Sequence, residues 1–329
     1  MKTLAIIIPF HTAKNNGLMR QLESVNQQMK IDFSEITIQL VGDGIQNWSL
    51  EQYSWLTNLD LHFTRYEQNQ GAGYARQVGN DQTESHYIMY LDDDDVLQDP
   101  LALSAFFTEA ARQKHDLIVA RYTQQSQSRD GFSYLQSELT DNKSPVAKWF
   151  NRRYLDRIGL KWHPNLRIFE DTYFVGLACE LTDDIFRLNR SVYLWLWNAE
   201  STVRKNDHAF DHQLHEWVHA NRLCLDMVQE KKPANLQRDF FGYMGELYFH
   251  ETVYKPVNWD AYDAEQKHLL TKYRRLWGNE NSHSVVTTVA KLLCQAGRLY
   301  EGMSLDNLPK FMQHQDALLY QAFEEAQGR

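Results

Sequence analysis

The stretch MYLDDDDVLQDP, residues 89–100, places four aspartates directly after an apolar run. Adjacent carboxylates repel one another, and the repulsion eases when they are fully solvated, share protons or hold a cation between them. On extended backbone Asp92 and Asp94 would point to one side and Asp93 and Asp95 to the other, so an alternate pair can converge on one ion. Carboxylate oxygens suit a hard cation such as Mg²⁺ or Mn²⁺. A solvated acidic turn is the ordinary alternative for a charge run, but the position directly after YIMYL favours a metal site.

Two further segments offer polar groups of the same kind. LVGDG ends an apolar run in Gly-Asp-Gly, where the Asp43 carboxylate can accept a hydrogen bond and the glycines let a ligand approach the backbone. NQGAGYARQVGN, residues 69–80, places Gly71, Gly73 and Arg76 at the start of a predicted helix. Arg76 stands where a dinucleotide-binding G-x-G-x-x-G motif has its third glycine, which argues against a nicotinamide or flavin enzyme.

The elements that must position these groups follow from the hydrophobic periodicity. Short runs rich in Ile, Val, Leu, Phe and Tyr predict strands, and helix-like stretches lie between them. The predicted strands are LAIIIPF, EITIQLVGD, LHFTRYEQ, HYIMYLDD and HDLIVARY, and the predicted helices span residues 17–29, 49–59, 71–82 and 99–114. This alternation indicates an α/β fold with a doubly wound, mostly parallel sheet flanked by helices. Such sheets bind ligands at the carboxyl ends of their strands, where His11, Asp43 and the aspartate run all fall.

The pattern changes from about residue 122 onward. A mixed, turn-rich segment contains a short helix predicted around KWFNRRYLDRIG and a strand at SVYLWLW. Beyond Lys205 the segments fit helices, among them HQLHEWVHANRLCLDMV and LQRDFFGYMGELYFHETVY. The predicted organisation is an α/β domain at 1–205, with a nucleotide-binding half at 1–95 and an acceptor half at 96–205, and then an α-helical C-terminal region at 206–329.

Five segments, in this order, resemble the motifs of family 2 glycosyltransferases with the GT-A fold: LAIIIPFHT, LVGDG, NQGAGYARQVGN, YIMYLDDDDVL and FEDTYF. The family's motifs resemble I-I-P-x-Y-N, D-D-G-S, N-x-G-x-x-x-A-R-N, L-D-x-D-D and E-D, and the resemblance covers residues 1–205. The sequence departs from them at His11, where tyrosine is common, at Gly42, which replaces the first aspartate of D-D-G-S, and at Ile45, which replaces its serine. These departures concern the recognition of the nucleotide base.

The resemblance implies roles for the residues that match on the nucleotide side. Pro9 and His11 would line the pocket for the base, and Asp43 would accept a hydrogen bond from a uracil ring. Arg76 would lie beside the base or the diphosphate. Trp197, on the predicted strand SVYLWLW, could stack on a sugar ring, although a tryptophan in a strand is more often part of the core.

The resemblance also implies which residues carry the chemistry. Asp92, Asp93 and Asp94 match the D-x-D region, where the family binds the ribose and a divalent cation, and Asp94 with Asp92 would be the ligands to Mn²⁺ or Mg²⁺. Asp171 in FEDTYF would be the general base, and Glu170 beside it would orient the acceptor. From the residues alone, the pair is equally well explained as acidic side chains that stabilise the start of a helix.

The implied function is an inverting transfer of a sugar from a UDP-sugar to an acceptor hydroxyl of a glycan, polysaccharide or glycoconjugate. A cation that bridges phosphate oxygens stabilises the leaving diphosphate as a Lewis acid, and one carboxylate suffices to deprotonate the attacking hydroxyl. The alternative is a non-catalytic GT-A-like module that acts through its helical C-terminal part as a partner or oligomer scaffold. Clustered carboxylates argue against that alternative, because a module without catalysis has no need of them.

Charge and composition limit the partners. The net charge of −9 argues against sequence-independent binding of nucleic acid, which needs a basic surface. The apolar run in MKTLAIIIPF is too short for a signal sequence or a membrane span, so a cytoplasmic protein is predicted. The aromatic helices after residue 205 could pack as core, form a homodimer or make a peripheral contact with the inner face of a membrane, in that order of preference.

Overall fold

The computed structural model of the chain describes residues 1–11, 16–199, 212–296 and 303–327. The chain divides into two compact units, Met1–Ala199 and Glu200–Arg329. The predicted boundary between residues 205 and 206 lies outside the described residues and stays a prediction. The predicted division of the first domain into halves at residue 95 also stays a prediction.

The first unit alternates strands and helices along its N-terminal half. Its strands are β1 (Lys2–Phe10), β2 (Ile36–Asp43), β3 (Leu61–Tyr66), β4 (Ser85–Tyr90), β5 (Val96–Leu97), β6 (Leu117–Ser128), β7 (Gly131–Gln136), β8 (Lys148–Asn151) and β9 (Ile185–Trp195). Its helices are α1 (Gly17–Asn26), α2 (Ala72–Asp81), α3 (Ala102–Arg112), α4 (Arg152–Ile158) and α5 (Glu170–Glu180). These strands form one sheet in the order β3-β2-β1-β4-β8-β6-β9-β5, with β7 paired to β6.

The four strands β3, β2, β1 and β4 are parallel to one another and form the part of the sheet that the alternating pattern predicted. Strand β1 reads as a continuous apolar run and is buried from Leu4 to Phe10, as expected for a central strand covered by helices on both faces. The carboxyl ends of β1, β2 and β4 therefore meet at one edge. Beyond β4 the sheet is mixed, since β8 is antiparallel to both β4 and β6. The predicted α/β class of the GT-A type is confirmed.

The helix predicted over residues 49–59 is wrong. The structure has a short 3₁₀ turn at Leu50–Tyr53, followed by further bonds from Leu56 N to the Tyr53 oxygen and from Leu59 N to the Leu56 oxygen. Four of the five large apolar residues of this segment recur at every third position and pack on the core of the sheet, whereas Trp55 is exposed. A spacing of three matches a chain of tight turns better than the 3.6-residue period of an α-helix.

The helix predicted around KWFNRRYLDRIG is shorter than expected, because its first four residues form strand β8. Trp149 and Phe150 are fully buried there, and Asn151 then caps α4 by accepting hydrogen bonds from the backbone N–H groups of Arg153 and Tyr154. Two aromatic residues at adjacent positions pack on both faces of the sheet, which a strand permits and a helix does not. The cap residue marks the change from strand to helix.

The second unit is helical, as predicted. The described helices are α6 (Leu214–Lys231), α7 (Leu236–Tyr254), α8 (Trp259–Lys272), α9 (Arg274–Trp277), α10 (Ser282–Ala296) and α11 (Leu308–Gln327). The aromatic side chains of α7 are largely core, since Phe240, Tyr248 and Phe249 are at most 1% exposed. No helix in the described part of the chain is long and apolar enough to cross a lipid bilayer.

The packing of α2 on the sheet depends on one glycine. A Cβ atom added at Gly79 would overlap the side chain of Ile7 on β1 and lie 3.3 Å from Val41 on β2. We expect Gly79→Ala to lower the free energy of unfolding by about 1–3 kcal/mol through overpacking. Gly176→Ala in α5 is the matched control, because nothing lies within 4 Å of the added methyl group there. We expect the free energy of unfolding of Gly176→Ala to rise by about 0.5–1 kcal/mol. Urea denaturation measures both variants, and equal effects of the two changes would contradict the packing argument.

Candidate active site

The four aspartates form a tight turn between β4 and β5 and not the extended backbone that their alternation predicted. The backbone N–H of Asp95 donates to the carbonyl oxygen of Asp92 at 3.4 Å and closes this turn. Each carboxylate consequently has its own surroundings. Asp92 contacts Arg76, and Asp94 contacts Asn198.

Asp95 is tied to strand β9 and is only 1% exposed. One carboxylate oxygen accepts from the hydroxyl of Tyr193 at 2.7 Å, and the other accepts from the backbone N–H of Leu196 at 2.7 Å. The Tyr193 hydroxyl in turn accepts from the backbone N–H of Asp92 at 3.1 Å. Burial, with the charges of Asp92 and Asp94, raises the pKa of Asp95 to about 9. Both carboxylate oxygens of Asp95 therefore accept hydrogen bonds within the protein, and these bonds anchor the turn to β9.

Asp93 and Asp94 carry negative charge that the protein does not fully compensate. Burial raises the pKa of Asp93 to about 7, and the charges of Asp94 and Asp92 add to the effect. Burial and the charge of Asp92 also raise the pKa of Asp94, although the hydrogen bond from Asn198 opposes them. A divalent cation relieves this kind of repulsion, so the chemistry of the turn fits a hard metal ion.

Arg76 on α2 links the aspartate turn to the start of α5. Its guanidinium donates to Asp92 Oδ1 at 2.9 Å and lies 3.5 Å from Glu170 Oε1, and it stacks over the ring of Trp162 at 4.9 Å. The side chain is only 5% exposed. Burial would lower the pKa of Arg76, but the charges of Asp92, Glu170 and Asp171 outweigh it and raise the pKa. Arg76 is therefore held among carboxylates, and its predicted place beside the base or diphosphate stays a prediction.

Glu170 and Asp171 begin helix α5, where Phe169 has a left-handed backbone with φ 59°. Burial and the charge of Asp171 raise the pKa of Glu170 to about 8, against the opposing charge of Arg76. Burial also raises the pKa of Asp171, again against Arg76. One guanidinium faces three carboxylates when Asp92 is included, so the cluster is most stable with a proton on one of them. Burial raises the pKa of both Glu170 and Asp171, so the two neighbouring carboxyls share that proton.

Asp43 ends β2 and organises the loop before α2. Its two carboxylate oxygens accept from the backbone N–H groups of Gln70 at 2.7 Å and Gly71 at 2.9 Å. Nδ1 of His11 lies 2.8 Å from the Asp43 carbonyl oxygen and 2.9 Å from the Asn69 side-chain nitrogen. The structure brings these predicted residues together at the edge where β1 and β2 end. The contact of Pro9, His11 and Asp43 with a nucleotide base stays a prediction.

Trp197 lies just beyond the end of β9, not within the strand. Its backbone N–H donates to the side-chain oxygen of Gln125 on β6 at 3.0 Å. Trp195, the last residue of β9, packs edge-on against Tyr122 at 5.9 Å. A stacking role of Trp197 stays a prediction.

Sequence reasoning missed two residues at the site, Tyr193 and Asn198, and the structural role of Asp95. The four aspartates were noticed as a run, but no local signal marks Asp95 as the structural member. Asn198 directly follows the strand SVYLWLW, so the rule that ligands bind at the carboxyl ends of strands could have found it, had it been applied to that strand.

Protein side chains alone do not surround a metal ion here. Within residues 1–11, 16–199, 212–296 and 303–327, no group of three or more His, Cys, Asp or Glu side chains could hold one. Mg²⁺ and similar ions often use one or two carboxylates together with substrate phosphates and water. The turn therefore fits a cation shared with a phosphorylated ligand.

The sheet that carries the aspartate turn and the acidic helix start at its edge has the architecture of the GT-A type. Among solved structures, residues 1–349 of TarS from S. aureus superpose with a TM-score of 0.67 at 14% identity, covering 91% of this chain and 93% of that one. The same TarS fragment in complex with UDP-GlcNAc superposes equally well, with a TM-score of 0.67. At 14% identity, the two superpositions establish a similar fold.

The sequence profile described as Glycosyl transferase family 2 matches residues 5–181. The chain belongs to this family and is a glycosyltransferase, so the alternative of a non-catalytic module is set aside. A curated relative, the poly(ribitol-phosphate) beta-N-acetylglucosaminyltransferase TarP of Staphylococcus aureus (strain N315), is 23% identical over 287 residues, covering 82% of this chain and 77% of the relative.

Removal of the buried guanidinium tests the charge balance of the site. We expect Arg76→Met to lower the free energy of unfolding by about 3–5 kcal/mol near pH 8, because buried carboxylates lose their counter-charge. Arg76 opposes the raised pKa values of Glu170 and Asp171. Its contribution is therefore largest above their pKa values and shrinks as the pH falls and the carboxylates take up protons.

Urea denaturation at several pH values measures this loss. Arg190→Met is the matched control, since Arg190 pairs with Asp99 where both side chains are 37% exposed. Such an exposed pair contributes about 0–1 kcal/mol. A loss for Arg76→Met as small as that of the control, or one that does not change with pH, would contradict the assigned role.

Proposed function

We propose that the protein is an inverting, cation-dependent glycosyltransferase that moves a sugar from a UDP-sugar to an acceptor hydroxyl of a glycan, polysaccharide or glycoconjugate. The observation that carries the proposal is the junction of the aspartate turn and the acidic start of α5 through Arg76. In this proposal the leaving diphosphate binds at the aspartate turn, and the carboxylate base at the start of α5 lies on the other side of Arg76. A single in-line displacement at an anomeric carbon requires both a site that holds the leaving diphosphate and a base for the attacking hydroxyl.

UDP-GlcNAc is the proposed donor. A TarS fragment of the same fold is known with UDP-GlcNAc, and the name of the relative TarP describes it as a beta-N-acetylglucosaminyltransferase. In this proposal Pro9, His11 and Asp43 form the end of the site that receives the base. Asp93 faces the ribose, and Trp197 stacks on the transferred sugar.

The proposed cation site consists of Asp94 and Asp92. Both carboxylates belong to the turn in which repulsion and burial leave negative charge uncompensated. When bound, Mn²⁺ or Mg²⁺ supplies Lewis-acid stabilisation of the charge that develops on the leaving diphosphate. The protein's own part is to hold the two carboxylates at fixed positions, Asp92 through Arg76 and Asp94 through the residues around it.

Asp171 is the proposed general base, and Glu170 is proposed to orient the acceptor. With the shared proton on Glu170, Asp171 stays ionised near neutral pH and can accept the proton of the attacking hydroxyl. The protonated Glu170 can donate a hydrogen bond to an acceptor oxygen. The C-terminal helical unit is left as a predicted site of homodimer or peripheral membrane contact.

Product formation from UDP-GlcNAc is the first test of the donor. We expect release of UDP, or transfer to a supplied polyol-phosphate or glycan acceptor, only when Mn²⁺ or Mg²⁺ is present. GDP-sugars and CDP-linked donors, tested in parallel, should give no product. Turnover that is undiminished in the presence of a chelator would refute the cation requirement.

Substitution of the acidic pair distinguishes its two roles. We expect Asp171→Asn to lower kcat about 10²–10⁴-fold, the usual contribution of a general base. Glu170→Gln resembles the protonated side chain and should cost less than about tenfold at pH 7. The rate of the wild type should fall as the pH drops through the pKa of Asp171, which burial raises above the ordinary value.

The sign of that dependence follows from the requirement for an ionised base. Protonation of Asp171 at low pH removes catalysis, so the acidic limb of the kcat profile belongs to Asp171 and should be absent from the residual activity of Asp171→Asn. Equal losses in Glu170→Gln and Asp171→Asn at pH 7 would contradict the assignment of separate roles.

A further inference from the structure

The three residues that follow β9, Leu196 to Asn198, are bonded to the aspartate turn and to β6; we name them the β9 extension. The backbone N–H of Leu196 donates to Asp95 Oδ1 at 2.7 Å, and the backbone N–H of Trp197 donates to Gln125 Oε1 at 3.0 Å. The side-chain Nδ2 of Asn198 donates to Asp94 Oδ2 at 2.6 Å. The extension is thus held at each of its three residues.

Asp94 is held from a second direction by helix α1. The guanidinium of Arg20 donates to the backbone carbonyl oxygen of Asp94. A Cβ atom at Gly17 would lie 2.7 Å from the carbonyl oxygen of Asp93 and 3.2 Å from the Cα atom of Asp94, so α1 packs closely against the turn. The backbone of Asp94 is therefore fixed by α1, and the hydrogen bond from Asn198 orients its carboxylate.

We propose that Asn198 is a positioning residue, whose side-chain amide holds the Asp94 carboxylate in the orientation that binds the divalent cation. The inference rests on the proposed cation-dependent function. A carboxylate can accept about four hydrogen bonds or metal contacts, so one amide donor leaves it able to bind a cation. Partners of this kind orient metal-binding carboxylates, and their loss typically costs about 10–100-fold in metal affinity.

The chemistry of the side chain fits this role better than its alternatives. An amide donates a hydrogen bond without adding a charge, so it orients Asp94 and leaves the carboxylate's negative charge available. A lysine at this position would compete with the cation, and an aspartate would add to the repulsion among Asp92, Asp93 and Asp94. Because the extension continues a strand paired with both β5 and β6, the amide is placed by the sheet itself.

The test measures the affinity of the purified protein for Mn²⁺ from the electron paramagnetic resonance signal of the free ion, with UDP present. We expect Asn198→Leu, which keeps the branched shape but removes the donor, to raise the Kd for Mn²⁺ about 10–100-fold. The Mn²⁺ concentration needed for half-maximal activity should rise by the same factor, and kcat at saturating Mn²⁺ should be largely recovered. Asn198→Gln, which keeps an amide donor, should restore part of the affinity.

Asn189→Leu is the matched control, because Asn189 lies on β9, which the extension continues, and its side chain accepts from Arg121 at 2.9 Å. We expect it to leave the Kd for Mn²⁺ within about twofold of the wild type, since no metal-binding residue contacts it. If Asn198→Leu does not fold, Asn198→Ala carries the same expectation, because it removes the donor without adding apolar surface. Thermal unfolding of each variant without Mn²⁺ separates a general loss of stability from a loss of metal affinity.

Two different failures can be told apart. A wild type that binds no Mn²⁺ in the presence of UDP would overturn the cation-dependent function and the inference together. A wild type that binds Mn²⁺, with Asn198→Leu and Asn198→Ala indistinguishable from Asn189→Leu, would overturn only the inference and leave the function intact.

Discussion

The site depends on a buried guanidinium that is shared by carboxylates from two parts of the chain. Arg76 lies on α2, Asp92 follows β4, and Glu170 and Asp171 begin α5. A buried arginine is stable only when opposite charges surround it, so the packing of α2 brings the aspartate turn and the start of α5 together. Gly73, where a Cβ atom would lie 2.9 Å from Glu170 Cγ, lets the two helices approach closely enough. The aspartate turn and the acidic start of α5 are thus joined by one side chain.

A second set of contacts holds the aspartate turn from the opposite side. Tyr193 and Leu196 bind both oxygens of Asp95, and Asn198 binds Asp94. Arg76 therefore fixes Asp92, at the start of the turn, while strand β9 and its extension fix the other end. In the proposed reaction such preorganisation avoids reorganisation at the moment when charge develops, because the carboxylates are already held in place.

Sequence reasoning succeeded where the information was local. Continuous apolar runs identified β1, β2 and β4, and five short motifs in order identified the family. It failed where one composition is compatible with different local structures. Helices were predicted at the 3₁₀ turn Leu50–Tyr53 and at the strand β8. It also missed Asn198 and the role of Asp95, because 104 residues separate Asn198 from Asp94 and 101 separate Leu196 from Asp95. The position of Asn198 directly after a strand marks it as a candidate, but its contact with Asp94 follows from the order of the strands in the sheet, which becomes visible only in the fold.

The long sequence separation between Asp95 and Leu196 has a consequence for how the protein is made. At about 5–20 residues per second, a ribosome needs roughly 5–20 seconds to extend the chain from the aspartate turn to the strand that anchors it. During that interval β1 to β4 can already pair, but Asp95 lacks both of its hydrogen-bond donors. The segment from β1 to the aspartate turn therefore matures in two stages, and the turn acquires its last hydrogen bonds only after Leu196 and Asn198 have left the exit tunnel.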